Sequence, residues 1–286
     1  MQKDLDLEKI RDVLVSTALE AGELIRQRNG TAIFDDKKNS VDLVTEVDKA
    51  VEDFIRSRLL TAFPQFKFFG EESFVPGVSK ITEEPTFVVD PIDGTTNFIH
   101  SFPFSCTSLG FMVGRKPVIG VVYNPHLNQM FSAISGHGAF LNGIKLPMQT
   151  KRSLKIQSSL VALEGGTDRH GNNFDVKFAT FKRLLAKDTG SFIHGFRCFG
   201  SAAMNLCYVA MGQMDAYWAN CWSWDVCAAW VISHETGGIV VDGNKNNWKE
   251  VDVENRVFLF VRGAPAEEQK VFVEEFWGNI EGRLDV

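Results

Sequence analysis

Val88-Val89-Asp90-Pro91-Ile92-Asp93-Gly94-Thr95-Thr96-Asn97-Phe98 is the stretch on which the reading of this chain turns. Phe87 to Val89 is a short apolar, β-branched run and predicts a buried strand. The run ends in two carboxylates, Asp90 and Asp93, with Pro91 between them. Proline fixes its φ and lacks an N–H, so the backbone is expected to leave the sheet at Pro91. Gly94 permits a sharp turn, and Thr95 and Thr96 can present hydroxyl and N–H groups at the start of the next element.

Two acids at the end of a buried strand are costly unless something compensates them. A hard divalent cation is one compensation, and Mg²⁺ favours carboxylates together with water and substrate phosphate. An Asx turn, in which the carboxylates only bond local N–H groups, is the other. Phosphatases of the haloacid-dehalogenase type also place acids after an apolar strand, but as Asp-x-Asp. Here the spacing is Asp-x-x-Asp, which redirects the second carboxylate and favours metal-activated water over a covalent aspartate.

The 286 residues suffice for one large unit, with approximate halves at 1–150 and 151–286. The net charge of −6 supplies no basic stripe, which argues against nucleic acid as a partner. The five cysteines, Cys106, Cys198, Cys207, Cys221 and Cys227, have no zinc or redox spacing and read as reduced, mostly core thiols. A polar amino terminus and the lack of a long apolar run predict neither signal peptide nor membrane span, hence a cytoplasmic protein.

Leu7, Ile10, Leu14, Ala18, Ala21 and Ile25 recur at helical spacing before Asn29-Gly30. Thr31 to Val41 reads as a polar loop, either solvated or lying over a site. A second helix is expected from about Thr45, with Asp48 as part of a capping box. Phe66 to Phe69 predicts a strand, and Gly70-Glu71-Glu72-Ser73 places acids directly after it. Three or four strands then follow as antiparallel hairpins between Ser108 and Leu141.

The second half alternates. Strands are expected at Val161–Leu163, Phe192–Phe196, Asp215–Trp218, Ile239–Val241 and Val257–Val261. Helices are expected at Phe174–Leu185, from Gly200-Ser201-Ala202-Ala203 to Met211, at Asp225–Glu235 and at Ala266–Trp277. Asp225 reads either as a helix N-cap or as a further ligand, held among Trp218, Trp222, Trp224 and Trp230. Gly200-Ser201-Ala202 offers helix-start N–H groups that suit a phosphate or sugar oxygen, or merely pack closely.

Taken together, Asp42-Leu43-Val44-Thr45-Glu46-Val47-Asp48, Gly70-Glu71-Glu72-Ser73, Asp90-Pro91-Ile92-Asp93-Gly94-Thr95-Thr96 and Trp224-Asp225-Val226 resemble the inositol monophosphatase family of metal-dependent phosphomonoesterases. Gly195-Phe196-Arg197, Gly200-Ser201-Ala202-Ala203 and Ser105-Cys106-Thr107-Ser108-Leu109-Gly110 are similar to its inositol-phosphate branch, in detail to fungal members. The resemblance implies an α/β (mixed α+β) fold: a layered α-β-α-β-α sandwich of the type shared with fructose bisphosphatase. It also implies a homodimer, two or three Mg²⁺ ions and inhibition by Li⁺.

By the same resemblance, Glu71, Asp90 and the Ile92 carbonyl would hold a first metal, and Asp90, Asp93 and Asp225 a second. Glu71 would orient the attacking water beside a Thr95–Asp48 pair. Substrate contacts would fall on Ile92, Asp93, Gly94, Thr95, Thr96, Gly200, Ser201, Ala202 and Asp225. Gly94 to Thr96 would meet the phosphate, and Ser201 and Ala202 the inositol. Lys37 would lie on the polar loop near a third metal. One departure stands out: family members commonly carry an acid after the Asp-Ala-Tyr segment to hold inositol hydroxyls, whereas here the chain reads Trp218-Ala219-Asn220-Cys221. The substrate expected is a small phosphate monoester, inositol monophosphate first. A nucleotide bisphosphate, histidinol phosphate or sugar phosphate is the alternative, and a non-catalytic metal-binding protein the last.

Overall fold

A computed structural model describes residues 5–28, 34–36, 43–147 and 152–286, with residues 34–36 and 43–45 described by their backbone. Lys37 and Asp42 lie outside the described residues. The chain opens with α1 (Leu7–Arg28), the short strands β1 (Phe34–Asp36) and β2 (Leu43–Thr45), and α2 (Glu46–Ala62). β1 and β2 pair antiparallel, so part of the stretch read as loop is a small ribbon. Its three-residue strands are too short to leave a periodic signal.

β3 (Lys67–Gly70), β4 (Thr86–Asp93), β5 (Cys106–Val113), β6 (Lys116–Asn124), β7 (Gln129–Ile134), β8 (Gly138–Leu141) and β9 (Ile144–Lys145) form one sheet in chain order. β3 and β4 run parallel and the remaining neighbours antiparallel. α3 (Thr95–Ile99) separates β4 from β5. Contrary to expectation, β4 does not leave the sheet at Pro91. It continues to Asp93 through a register shift between Asp90 and Asp93. Such an irregularity is where a central strand tolerates a proline, because the extra residue is unpaired anyway.

The second sheet contains β10 (Leu160–Leu163), β11 (Gly195–Arg197), β12 (Ala216–Asn220), β13 (Ile239–Asp242) and β14 (Val257–Val261), in the order β11-β10-β12-β14-β13. The helices of this half are α4 (Asn172–Leu185), α5 (Ala202–Ala210), α6 (Ser223–Glu235) and α7 (Ala266–Asn279). The strand expected from Phe192 is shorter and starts at Gly195. Phe192 has φ of 49°, a left-handed backbone that cannot belong to a strand.

Alternation along the strands sets the layers. Phe87, Val89, Leu109 and Phe111 face α1 and α2. Val88, Met112 and Val122 point to the opposite side, against α5 and α6, and the same core takes in Tyr217, Phe258 and Phe260 from the second sheet. The other face of that sheet, with Val161, Trp218 and Leu259, packs on α4 and α7. The order is therefore helices, sheet, helices, sheet, helices. α6 seats closely on the first sheet because Gly120 has no side chain: a Cβ there would lie 1.9 Å from the Ala228 carbonyl oxygen.

Candidate active site

Sheet register assembles the site. Gly70 pairs with Val89, so Glu71 follows β3 beside Asp90, and its N–H donates to the Val89 carbonyl at 3.1 Å. On the other side Asp90 pairs with Ser108. The Ser108 hydroxyl donates to the Trp224 carbonyl at 3.1 Å, which ties the start of α6, and with it Asp225, to the same point. One ligand oxygen from each of Asp90, Asp93 and Asp225 lies within 4.8 Å of the others. The Glu71 side chain lies beside the Asp90 carboxyl at the edge of this cluster, close enough for its charge to act on it.

Asp90 and Asp93 are buried, and Asp225 is partly exposed. Burial, followed by the charges of Glu71, Asp93 and Asp225, pushes the Asp90 carboxyl well above the usual carboxylate range. Asp225 is raised well above that range by burial and then by Asp93 and Glu71, against the pull of the Trp222 N–H and Arg256. Asp93 is raised by burial, but hydrogen bonds from Ser201, Ala203 and Ala202 offset part of the cost.

Asp225 is not an N-cap. It is the third residue of α6 and reaches back to accept the Trp222 N–H at 2.7 Å. Trp222 stacks on Trp224, and the Arg256 guanidinium lies 3.3 Å above its ring. Phe74, from the turn after Glu71, packs against both tryptophans. The aromatic group thus joins the Glu71 turn to the start of α6.

Thr95 Oγ1 lies between two acceptors, Asp48 Oδ1 at 3.1 Å and the Ile92 carbonyl at 3.2 Å. Gly94 precedes α3 with φ of 91°, and Thr96 sits exposed in its first turn. Ser201 is the N-cap of α5; its hydroxyl donates to Asp93 at 2.7 Å and accepts from the Met204 N–H. The helix-start N–H groups read as open to a ligand are occupied. Ala202 and Ala203 donate to Asp93 at 3.2 and 2.6 Å, and Gly200 donates to Glu164 at 2.8 Å. A buried carboxylate attracts such donors before any external anion can.

Asn220 ends β12. Its Nδ2 donates to the Asp285 carbonyl at 3.2 Å, and its buried Oδ1 has no donor among the described residues. Two supporting acids escaped the sequence reading. Glu52, buried on α2, accepts the Glu72 N–H at 2.7 Å and braces the Glu71 turn. Its signal was available: Asp48 and Glu52 sit four residues apart on the apolar side of α2. Glu164 offered no such signal. A cavity of about 810 Å³ also opens at the far end of α6, beside Trp230 and His234. There Glu235 accepts from the N–H groups of Gly136 and Gly138, and Asp252 pairs with Arg115, so these two acids are already compensated.

The cluster fits a divalent cation. Asp90 Oδ1 is buried without a hydrogen-bond donor among the described residues, and three hard oxygen donors converge on one point.

Residues 6–281 match the model of the inositol monophosphatase family. The chain is 51% identical over 287 residues to inositol monophosphatase 2 of Saccharomyces cerevisiae, covering 98% of this chain and 97% of the relative. It is 47% identical to inositol monophosphatase 1 of the same yeast, with 98% of both chains covered. Its fold superposes on the inositol monophosphatase structure from Anabaena with a TM-score of 0.78 at 27% identity, over 97% of this chain and 98% of that one. Sequence and architecture agree across nearly the whole length, and the chain belongs to the inositol monophosphatase family.

Proposed function

We propose that this protein hydrolyses inositol monophosphate to inositol and phosphate, using divalent cations held by Asp90, Asp93, Asp225, Glu71 and the Ile92 carbonyl. The observation that carries this reading is the convergence of the three aspartates, one oxygen of each within 4.8 Å of the others, beside a buried Asp90 Oδ1 that has no donor among the described residues. Bound cations would neutralise the carboxylates and the phosphate, acidify a water and stabilise the departing alkoxide. Two or three Mg²⁺ ions, inhibition by Li⁺, a homodimer, a cytoplasmic location and a single catalytic unit over 1–286 belong to the same reading.

The residues around the cluster would orient the reaction. When the Thr95 hydroxyl hydrogen points to Asp48, its oxygen can accept a hydrogen from the attacking water and aim the water's lone pair at phosphorus. Glu71 would be the second acceptor for that water. Gly94, Thr95 and Thr96, at the start of α3, would receive the phosphate, with Lys37 approaching it. Gly200, Ser201 and Ala202 would border the leaving group. Chemistry of this kind needs position and charge more than covalent participation.

A second reading keeps the chemistry and changes the ester. The segment Trp218-Ala219-Asn220-Cys221 lacks the acid that the family resemblance implies for inositol hydroxyls, which favours another small phosphate as substrate. Phosphate release from inositol monophosphate, a nucleotide bisphosphate, histidinol phosphate and a sugar phosphate, with and without Mg²⁺, separates the two. Highest kcat/KM on inositol monophosphate supports the first reading. A preference for another ester supports the second, and no release from any of them overturns both.

A further inference from the structure

Six consecutive residues, Cys198 to Ala203, turn from β11 into α5, and all six give a hydrogen-bond donor to one of two carboxylates. Glu164 receives the first three. Its Oε2 accepts from Cys198 Sγ at 3.0 Å, and its Oε1 from the Phe199 and Gly200 N–H groups at 3.0 and 2.8 Å. Asn205 Nδ2 is the fourth donor to Glu164 and the third on Oε1, at 2.8 Å. Asp93 receives the other three, from the Ser201 hydroxyl and the Ala202 and Ala203 N–H groups.

The fold explains why Glu164 can do this. β10 and β11 run parallel with Ala162 opposite Arg197, so the residue after β10 ends beside the turn after β11. The turn has little freedom elsewhere. Asn97 Nδ2 holds the Phe199 carbonyl at 2.6 Å, and the Gly200 carbonyl would lie 3.1 Å from a Cβ at Gly94. A displaced turn would therefore disturb both the donors to Asp93 and the backbone that precedes Thr95.

We propose that Glu164 is a positioning residue: by holding Cys198 to Gly200, it keeps the Ser201–Ala203 donors in place and so aims the Asp93 carboxylate into the acidic cluster. The inference rests on the cation-binding reading of that cluster. What Glu164 contributes is acceptor reach rather than charge, since three donors converge on one oxygen, Oε1. Groups hydrogen-bonded to a metal ligand, here Ser201, Ala202 and Ala203 on Asp93, commonly change its affinity by about 10–100-fold, and Glu164 acts on them from one step further out.

The test is calorimetric titration of Mg²⁺ into the wild-type protein and the E164Q, E164D and E164A variants, with thermal melts alongside. Glutamine keeps the Oε1 acceptor at the same reach, so E164Q is expected to bind Mg²⁺ close to wild type. Aspartate keeps the charge but withdraws the acceptor by one methylene, so E164D and E164A are expected to lose up to about 10-fold in affinity, the low end for a direct partner of a ligand. Should E164A fail to fold, the E164Q–E164D pair still decides. Wild-type affinity in E164D, or a loss in E164Q as large as in E164D, overturns the proposal. Failure of the wild type to bind Mg²⁺ overturns the cation reading itself and is seen before any variant is compared.

Discussion

At the residue scale the site depends on carboxylates that differ in their partners. Among the described residues Asp90 has a buried oxygen without a donor, whereas Asp93 is held by three donors and Asp225 by the Trp222 N–H. Asp90 is thus the residue with most to gain from a cation, and Asp93 and Asp225 are aimed in advance. Thr95 differs again, because its hydroxyl touches Asp48 and Ile92 rather than the cluster. Thr95→Ala is therefore expected to lower kcat by about 10²-fold or more, the usual worth of a proton acceptor, with little change in the Mg²⁺ dependence. Steady-state rates over a Mg²⁺ series check this, and a pure affinity loss would make the hydroxyl structural. The Asp90/Asp93 pair was legible in the sequence because an apolar strand ending in acids is unusual. Glu164 was not legible. Beside Gly165 and Gly166 it reads as a surface acid, and only the parallel pairing of β10 with β11 brings it to the turn.

At the scale of elements, the bulge in β4 decides where the second carboxylate points. A regular strand would place Asp90 and Asp93 on opposite faces, since they are three residues apart. The register shift between them lets both reach one cluster. Proline and glycine in the motif marked an interruption, and composition alone could not distinguish an exit from the sheet from a bulge within it. The turn into α3 is equally constrained. Gly94 has φ of 91°, and a Cβ there would lie 3.1 Å from the carbonyl oxygens of both Gly200 and Phe104. Gly94→Ala is expected to cost about 1–3 kcal/mol of stability from backbone strain and to reduce turnover through the displaced Thr95. Urea unfolding at constant m-value and kcat measured on the same preparation check both parts. The hairpins from β5 to β8 were readable from alternation and turn residues, whereas the ribbon of β1 and β2 was too short to show.

For the whole molecule, five layers hold acids from distant parts of the chain over one site. The cores on either side of the first sheet follow strictly from alternation, as Val88 and Phe87 illustrate by facing opposite helices. That much was legible. The meeting of Asp225 with Asp90 was legible only through the family resemblance and not from the pattern of residues, because it depends on α6 lying between two sheets. Gathering the acids has a pH signature. Asp90, Asp93, Asp225 and Glu52 are all raised in the fold, chiefly by burial. The folded protein then keeps protons that the unfolded chain has released, so without cations its stability falls as pH climbs from the ordinary carboxylate range through the raised values. The slope is about 1.4 kcal/mol per pH unit for each proton retained. Chelator-treated protein is expected to melt at a higher temperature near pH 5 than near pH 8. Mg²⁺ should restore the pH 8 value by binding the folded state. A Tm that rises with pH in chelator would contradict the assigned shifts.

The central claim is that Asp90, Asp93 and Asp225 together hold divalent cations. A crystal soaked in Mn²⁺ and measured for anomalous scattering tests it most directly. Anomalous density coordinated by these three carboxylates is expected, and it should be lost when Asp93 is replaced by Asn. Density absent from this cluster at saturating Mn²⁺, with the side chains ordered, would contradict it.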